Sequence, residues 1–235
     1  MKRLILFDID GTLIRINKAG KDAFFDALSS LFPSLMTGEF CFSLRGMTDL
    51  GVFSAFCRQF GITFTDTLWQ DFRSLFSVSL SKTAPGYSWE LLPGADDMLK
   101  QCLKSRIGIG LATGNTREGS RHKLTFSRLS RIDLEGGFGD DSLTKSETIR
   151  KALEVFSPVD PAMVLYFGDT VSDFEAARDH QIPFIGISGL DFTENGRDLP
   201  FPVIRDYRSL LDAPSSSLYR EIFGESGSEQ QDPPL

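Results

Sequence analysis

Five short apolar runs constrain the fold of this chain more than any other feature. They are RLILFDI (residues 3–9), RIGIGLAT (106–113), AMVLYFGD (162–169), IPFIGIS (182–188) and FPVIRDY (201–207). They are near-continuous rather than alternating, which is the pattern of parallel strands covered on both faces. Helical patterns separate them. GADDMLKQCLKS (94–105) precedes the second run, KSETIRKALEVF (145–156) precedes the third, and SDFEAARDH (172–180) follows it. Strands alternating with helices predict an α/β fold with a doubly wound, mainly parallel sheet.

One stretch breaks the alternation. Between residues 15 and 91 no run reads as a strand. KAGKDAFFDALSSLF (18–32), TDLGVFSAFCRQF (48–60) and TDTLWQDFRSLFSVSLSK (65–82) read as helices instead. Thr48 and Thr65 stand at N-cap positions, neither with Glu or Gln three residues on. The expected organisation is an α/β core of residues 1–14 and 92–212, with an all-helical domain (15–91) inserted after the first strand. LLPGADD (91–97) would be the return linker, punctuated by Pro-Gly. Residues 213–235 read as a polar, mobile tail in which SLYREIF can form a short docking helix.

Composition narrows the function classes. With 41% hydrophobic and 24% charged residues in 235, the chain can bury a sizeable core. The net charge of -7 comes with no Lys/Arg cluster, which argues against a nucleic-acid partner. Cys41, Cys57 and Cys102 are odd in number and widely spaced. They suit reduced thiols in a cytosolic interior rather than a disulfide framework or a zinc site. The first apolar run is too short for a signal segment and ends in acids, and no later stretch reaches membrane-spanning length. A soluble cytoplasmic protein with no membrane partner is expected.

The chemistry gathers at the strand ends, where open α/β sheets bind ligands. The first strand ends in Asp8 and Asp10, the second in Thr113-Gly114-Asn115, and the third in Gly168-Asp169, with Asp173 following. Alternate residues of an extended chain point the same way, so Asp8 and Asp10 address one ligand. Converging carboxylates disfavour each other's ionisation and call for a positive charge. A set of oxygen ligands suits Mg²⁺, which shares its shell with water and substrate phosphate. A carboxylate beside such an ion can attack phosphorus to form an aspartyl-phosphate. A second carboxylate two residues on can protonate the leaving oxygen and then activate water. The Thr113 hydroxyl and the N–H groups of Gly114 and Asn115 offer donors to phosphoryl oxygens at a strand-to-helix turn. Lys145, at a helix start before the third strand, is the candidate positive side chain.

DIDGTL, LATGN, Lys145 and FGDTVSD, in that order, resemble the four motifs of the haloacid dehalogenase superfamily over residues 1–14 and 93–204. The resemblance implies a Rossmann-like core and a helical cap that closes over the site and selects substrates. It implies Asp8 as nucleophile, Asp10 as general acid/base, Thr113 as a phosphate ligand and Lys145 as the charge stabiliser. It also implies Mg²⁺ held by Asp8, Asp169 and the Asp10 backbone carbonyl, with Asp173 supporting it. GMTD (46–49) resembles a cap segment of members similar to phosphoglycolate phosphatases and phosphomutases. Arg45, Thr48 and Asp49 are then candidate substrate contacts, Arg45 toward a carboxylate or second phosphate. The third motif departs from the Gly-Lys-Pro run of many members: Lys145 stands in LTKSE, with Lys151 six residues on. GDDSLTKSETIRKALE resembles a variant in which a basic residue follows GxDS.

The expected function is a Mg²⁺-dependent phosphatase acting on a small phosphorylated metabolite, phosphoglycolate-like at the family level. A sugar phosphomutase would use the same carboxylates and stands as the alternative. A dehalogenase would lack the second aspartate, and a receiver-type phosphoacceptor would be shorter and uncapped. A calcium loop starting at Asp8 would need a preceding helix, and GNTREG is no GxGxxG fingerprint. Taken singly, Asp169 and Thr48 could be helix caps, Asp173 a first-turn acid and Arg45 a surface arginine. His122 and His180 read as exposed, and the 21 phenylalanines as packing.

Overall fold

Every side chain of the first strand, β1 (Leu4–Phe7), is buried. The reason is its position. β1 lies at the centre of a six-stranded parallel sheet with β2 (Gly108–Ala112), β3 (Gly136–Gly137), β4 (Val164–Gly168), β5 (Phe184–Ile187) and β6 (Val203–Ile204), in the order β3-β2-β1-β4-β5-β6. This computed structural model describes residues 3–36, 45–129, 135–189, 191–193 and 199–224. Leu4 and Leu6 pack into one apolar layer with Ile149, Ala152 and Ala177, while Ile5 and Phe7 pack into the other with Met98, Leu99 and Tyr207. Alternate side chains thus meet helices on both faces, so the run is continuously apolar.

The helices of these layers are α4 (Ala95–Lys104), α5 (Arg117–Phe126), α6 (Lys145–Val155), α7 (Val171–Asp179), α8 (Tyr207–Leu211) and α9 (Ser217–Phe223). The chain starts at the centre, winds out to β3, then returns through α6 to β4 on the other side of β1. That reversal opens a crevice at the carboxyl ends of β1 and β4. Phe7 is level with both Leu111 and Phe167, so the residues after all three strands emerge together.

Among the described residues, three helices follow β1's end: α1 (Ala19–Leu31), α2 (Asp49–Gln59) and α3 (Asp66–Thr83). They share a separate core in which Phe24 and Phe53 stand 4.7 and 4.6 Å from Phe72, with Trp69 and Phe76 beside them. Thr48 and Thr65 cap α2 and α3 by accepting from Gly51 N–H (3.0 Å) and Leu68 N–H (3.1 Å). The insertion leaves and returns side by side: Leu92 N–H donates to Leu13 O and Arg15 N–H to Glu90 O.

Several expectations need correction. β3 adds a strand to the expected set, and its two residues are both glycine and carry no apolar pattern. A Cβ on Gly137 would meet the Thr148 carbonyl at 1.8 Å, so close packing by α6 demands its absence. SLYREIF does form the short docking helix expected of it: α9 sets Tyr219 and Ile222 into the core. His122 and His180 are half-buried rather than exposed, bonded through Nε2 to Ser77 and Ser146. Cys57 and Cys102 are free and buried, with burial pushing their thiols up to about 11 and 12. Cys41 lies outside the described residues. Among the described residues no helix is long and apolar enough to cross a membrane.

Candidate active site

The turn after β1 aims the first two acids. Asp8 N–H still pairs with Phe167 O at 3.0 Å, as a strand residue would. The backbone then wraps: the N–H groups of Thr12, Leu13 and Ile14 all donate to Ile9 O, within 3.2 Å. Gly11 sits at φ +79°, and a Cβ there would lie 2.2 Å from Asp169 Oδ2. Only glycine satisfies both the left-handed turn and that close approach.

Asp8, Asp169 and Asp173 each place a carboxylate oxygen within 4.8 Å of the others, all buried. Lys145, also buried, puts Nζ 3.0 Å from Asp8 Oδ1 and 2.9 Å from Asp173 Oδ1. Asp173 is well supplied with donors: the Tyr166 hydroxyl at 2.7 Å and Thr170 Oγ1 at 2.6 Å. Burial works against its charge, but Lys145 and Thr170 outweigh burial and hold its carboxyl below the usual range. Lys145 keeps its proton firmly for the converse reason: Asp173 and Asp8 outweigh the effect of burial.

The other two acids are less compensated. Asp8 is pushed up to about 6 by burial, with Lys145 opposing and Asp173 and Asp10 adding to the rise. Asp169 is pushed up to about 8 by burial and then by repulsion from Asp8 and Asp173. Its Oδ1 is buried with no hydrogen-bond partner. One ammonium among three buried carboxylates leaves a net negative, all-oxygen nest. The residues present fit a hard divalent cation such as Mg²⁺.

Asp10 is held apart from this cluster. Its Oδ2 accepts from Lys123 Nζ (2.5 Å) and Asn115 Nδ2 (2.7 Å), while Asn115 Oδ1 accepts from the same Lys123 at 2.6 Å. Burial opposes the charge on Asp10, yet Lys123, with help from Asn115, brings its carboxyl below the ordinary value. Thr113 is fully buried and accepts from Asn115 Nδ2 at 2.9 Å. Asn115 N–H turns back to Thr113 Oγ1 at 3.3 Å. Lys123 is the residue that sequence reasoning missed. It sits among the basic residues of REGSRHKL, and the faint signal is that it shares the buried face of α5 with Gly119, Ser120 and Leu124.

The helical insertion covers these groups. A cavity of about 360 Å³ runs between them, with Asp8, Asp10, Asn115, Lys145 and Asp169 on the sheet side and Phe24, Met47 and Val52 on the other. Lys18, Lys21 and Arg45 also line it, and Arg45 pairs with Asp191 at 2.7 Å. A larger cavity, about 660 Å³, opens at the opposite ends of the strands against Leu4, Val164 and Phe184, remote from the acids.

The structure places the other two insertion candidates in a clasp. Thr48 is buried, donates to Ser142 O at 2.6 Å and does not line the cavity. Asp49 lines the cavity edge but accepts from Thr116 N–H at 2.7 Å, and its own N–H donates to Gly114 O at 2.7 Å. Burial pushes the Asp49 carboxyl up to about 6 against the pull of Lys123. Asp140 completes the clasp, accepting from Trp69 Nε1 on its carbonyl (2.7 Å) and from Arg73 Nη1 (2.9 Å) and Arg117 N–H (2.6 Å) on its carboxylate.

A family model described as haloacid dehalogenase-like hydrolase matches residues 5–187. No curated protein matches the chain. Among solved structures, a hydrolase from Pseudomonas syringae is 23% identical, with TM-score 0.65 over 92% of this chain and 98% of that one. CbbY from Rhodobacter sphaeroides, solved in complex with phosphate, is 17% identical, with TM-score 0.65 over 89% of this chain and 96% of its own. A mutant of CbbY in complex with xylulose-(1,5)bisphosphate is 16% identical over the same shares, with TM-score 0.64. At these identities the likeness is one of fold.

Proposed function

The chain belongs to the haloacid dehalogenase-like hydrolase family, and from that premise we propose that it is a Mg²⁺-dependent phosphatase of a small phosphomonoester. The observation that carries this reading is the segregation of the acids. Asp8, Asp169 and Asp173 surround Lys145, while Asp10 stands beside them on a separate lysine. That arrangement supplies a nucleophile, a cation nest and an independent proton carrier within one cavity.

Asp8 attacks phosphorus as its P–O bond to the leaving alcohol breaks, and the departing oxygen takes a proton that Asp10 must first pick up against the pull of Lys123. Lys145 and the Thr113 loop hold the phosphoryl oxygens. Asp10, now a carboxylate, removes a proton from a water that attacks the same phosphorus, releasing phosphate and restoring Asp8. Asp8, Asp169 and the Asp10 carbonyl would hold Mg²⁺, with Asp173 behind them, and the ion would neutralise charge on the phosphoryl group. The insertion over residues 15–91 serves as the cap, excluding bulk water. Lys18 and Lys21 add positive charge to the cavity lining, which suits a substrate with a second anionic group, as in phosphoglycolate. The phosphate and xylulose bisphosphate of the CbbY complexes agree with a phosphorylated small molecule.

The test is phosphate release from a panel of small phosphomonoesters, with Mg²⁺ and with EDTA. Release that needs Mg²⁺ and drops roughly 10³-fold or more in Asp8→Asn is the expected result. Undiminished, metal-dependent turnover by Asp8→Asn would overturn the reading. Isomerised sugar phosphate in place of free phosphate would make the protein a phosphomutase.

A further inference from the structure

Lys123 lies outside every motif, yet three parts of the molecule meet at its ammonium. The side chain is buried, and Nζ stands 2.5 Å from Asp10 Oδ2 and 2.6 Å from Asn115 Oδ1. Its third neighbour is α1. A Cβ on Gly20, in the first turn of that helix, would come within 3.2 Å of Nζ and 3.3 Å of Cε. Glycine at position 20 therefore leaves the room that the ammonium uses. The other buried lysine, Lys145, is committed to Asp8 and Asp173. Asp10 lines the cavity with a third of its side-chain surface exposed, and among the described residues it is tethered through Oδ2, so its orientation depends on that tether.

We propose that Lys123 is the positioning residue of Asp10, fixing its carboxyl group against Asn115 beneath Gly20 so that it faces the oxygen of the leaving alcohol. This rests on the phosphatase reading. It makes a distinction that a purely structural role would not make. An alkyl alcohol leaves from phosphorus only with a proton from Asp10, whereas 4-nitrophenolate leaves without one. Disturbing Lys123 should therefore slow the first kind of substrate and spare the first step of the second.

The experiment compares full-length wild type and Lys123→Met, both with Mg²⁺, on the best alkyl phosphomonoester of the panel and on 4-nitrophenyl phosphate. For the alkyl substrate kcat should fall about 10²-fold with KM changed far less, the scale of a lost general acid. For 4-nitrophenyl phosphate the rate of the first-turnover burst should change by less than about threefold, with a slow phase after it, because water attack still needs Asp10. Equal losses on both substrates, or no loss on either, would overturn the proposal. Should Lys123→Met fail to fold, Gly20→Ala serves: its methyl displaces the ammonium by a few tenths of an ångström and should give the same split at roughly fivefold. Equal effects there would overturn the proposal as well. A wild type inactive on the whole panel overturns the phosphatase reading and this inference with it. An active wild type matched by its Lys123 variant overturns this inference alone.

Discussion

Asp169 is the side chain whose surroundings compensate it least, and that makes it a handle on the metal. Its folded-state carboxyl lies near 8 and that of Asp8 near 6, both above the ordinary 3.8. A raised carboxyl contributes stability that is present below 3.8 and lost as pH rises through the folded value. Metal-free protein should therefore lose stability between about pH 4 and 8. Bound Mg²⁺ needs the carboxylates charged, so the rise in Tm it gives should grow over the same window. Melting curves in EDTA and in Mg²⁺ at pH 5 and pH 8 check this; a Mg²⁺ shift independent of pH would contradict it. Residues of this kind were legible because strand ends and the i, i+2 rule bring Asp8, Asp10, Asp169 and Thr113 to one edge. Lys123 was not, because its partner Asp10 is 113 positions away and the local pattern is merely basic. Thr48 and Asp49 were legible as residues of interest but not in their contacts. Their partners are backbone groups at Ser142, Thr116 and Gly114, which no side-chain pattern announces.

The elements of the insertion hold together through aromatic packing rather than through the sheet. Phe72 on α3 is fully buried, stacked on Trp69 and within 6.0 Å of Phe24, Phe53 and Phe76. Phe72→Ala should cost about 3–5 kcal/mol and lower the denaturation midpoint accordingly, as seen by circular dichroism. These helices could be anticipated because their apolar residues recur at helical spacing and Thr48 and Thr65 are good caps. β3 could not, since Gly136 and Gly137 become a strand only through pairing with Leu111 and Ala112. α5 was equally hidden: REGSRHKLTF has only a narrow buried face, so the strand-to-helix turn was foreseeable but its length was not.

The insertion's core meets the two apolar layers of the sheet domain at a polar seam, where Asp140 accepts from Trp69, Arg73 and Arg117. Asp140→Ala removes the acceptors of Arg73 and Arg117 N–H while sparing the carbonyl bond to Trp69. Leaving two part-buried donors without partners should cost about 1–3 kcal/mol. Hydrogen exchange should then quicken in α3 while β1 and β4 keep their protection; uniform loosening of both parts would mean that the seam is not a separable contact. The central place of β1 also has a consequence for synthesis. Leu4 pairs with Gly108 on one side and Val164 on the other, so the first strand made is flanked by partners made about a hundred or more residues later. At roughly 5–20 residues per second, an emerging chain carries that bare apolar strand for several seconds. The three helices that follow it pack on one another mainly through α1 and α3, and both of these are made before β2. The ribosome thus delivers the helical insertion before the rest of the sheet. Until β2 and β4 arrive, LILF is a bare apolar strand of the kind that invites pairing between chains.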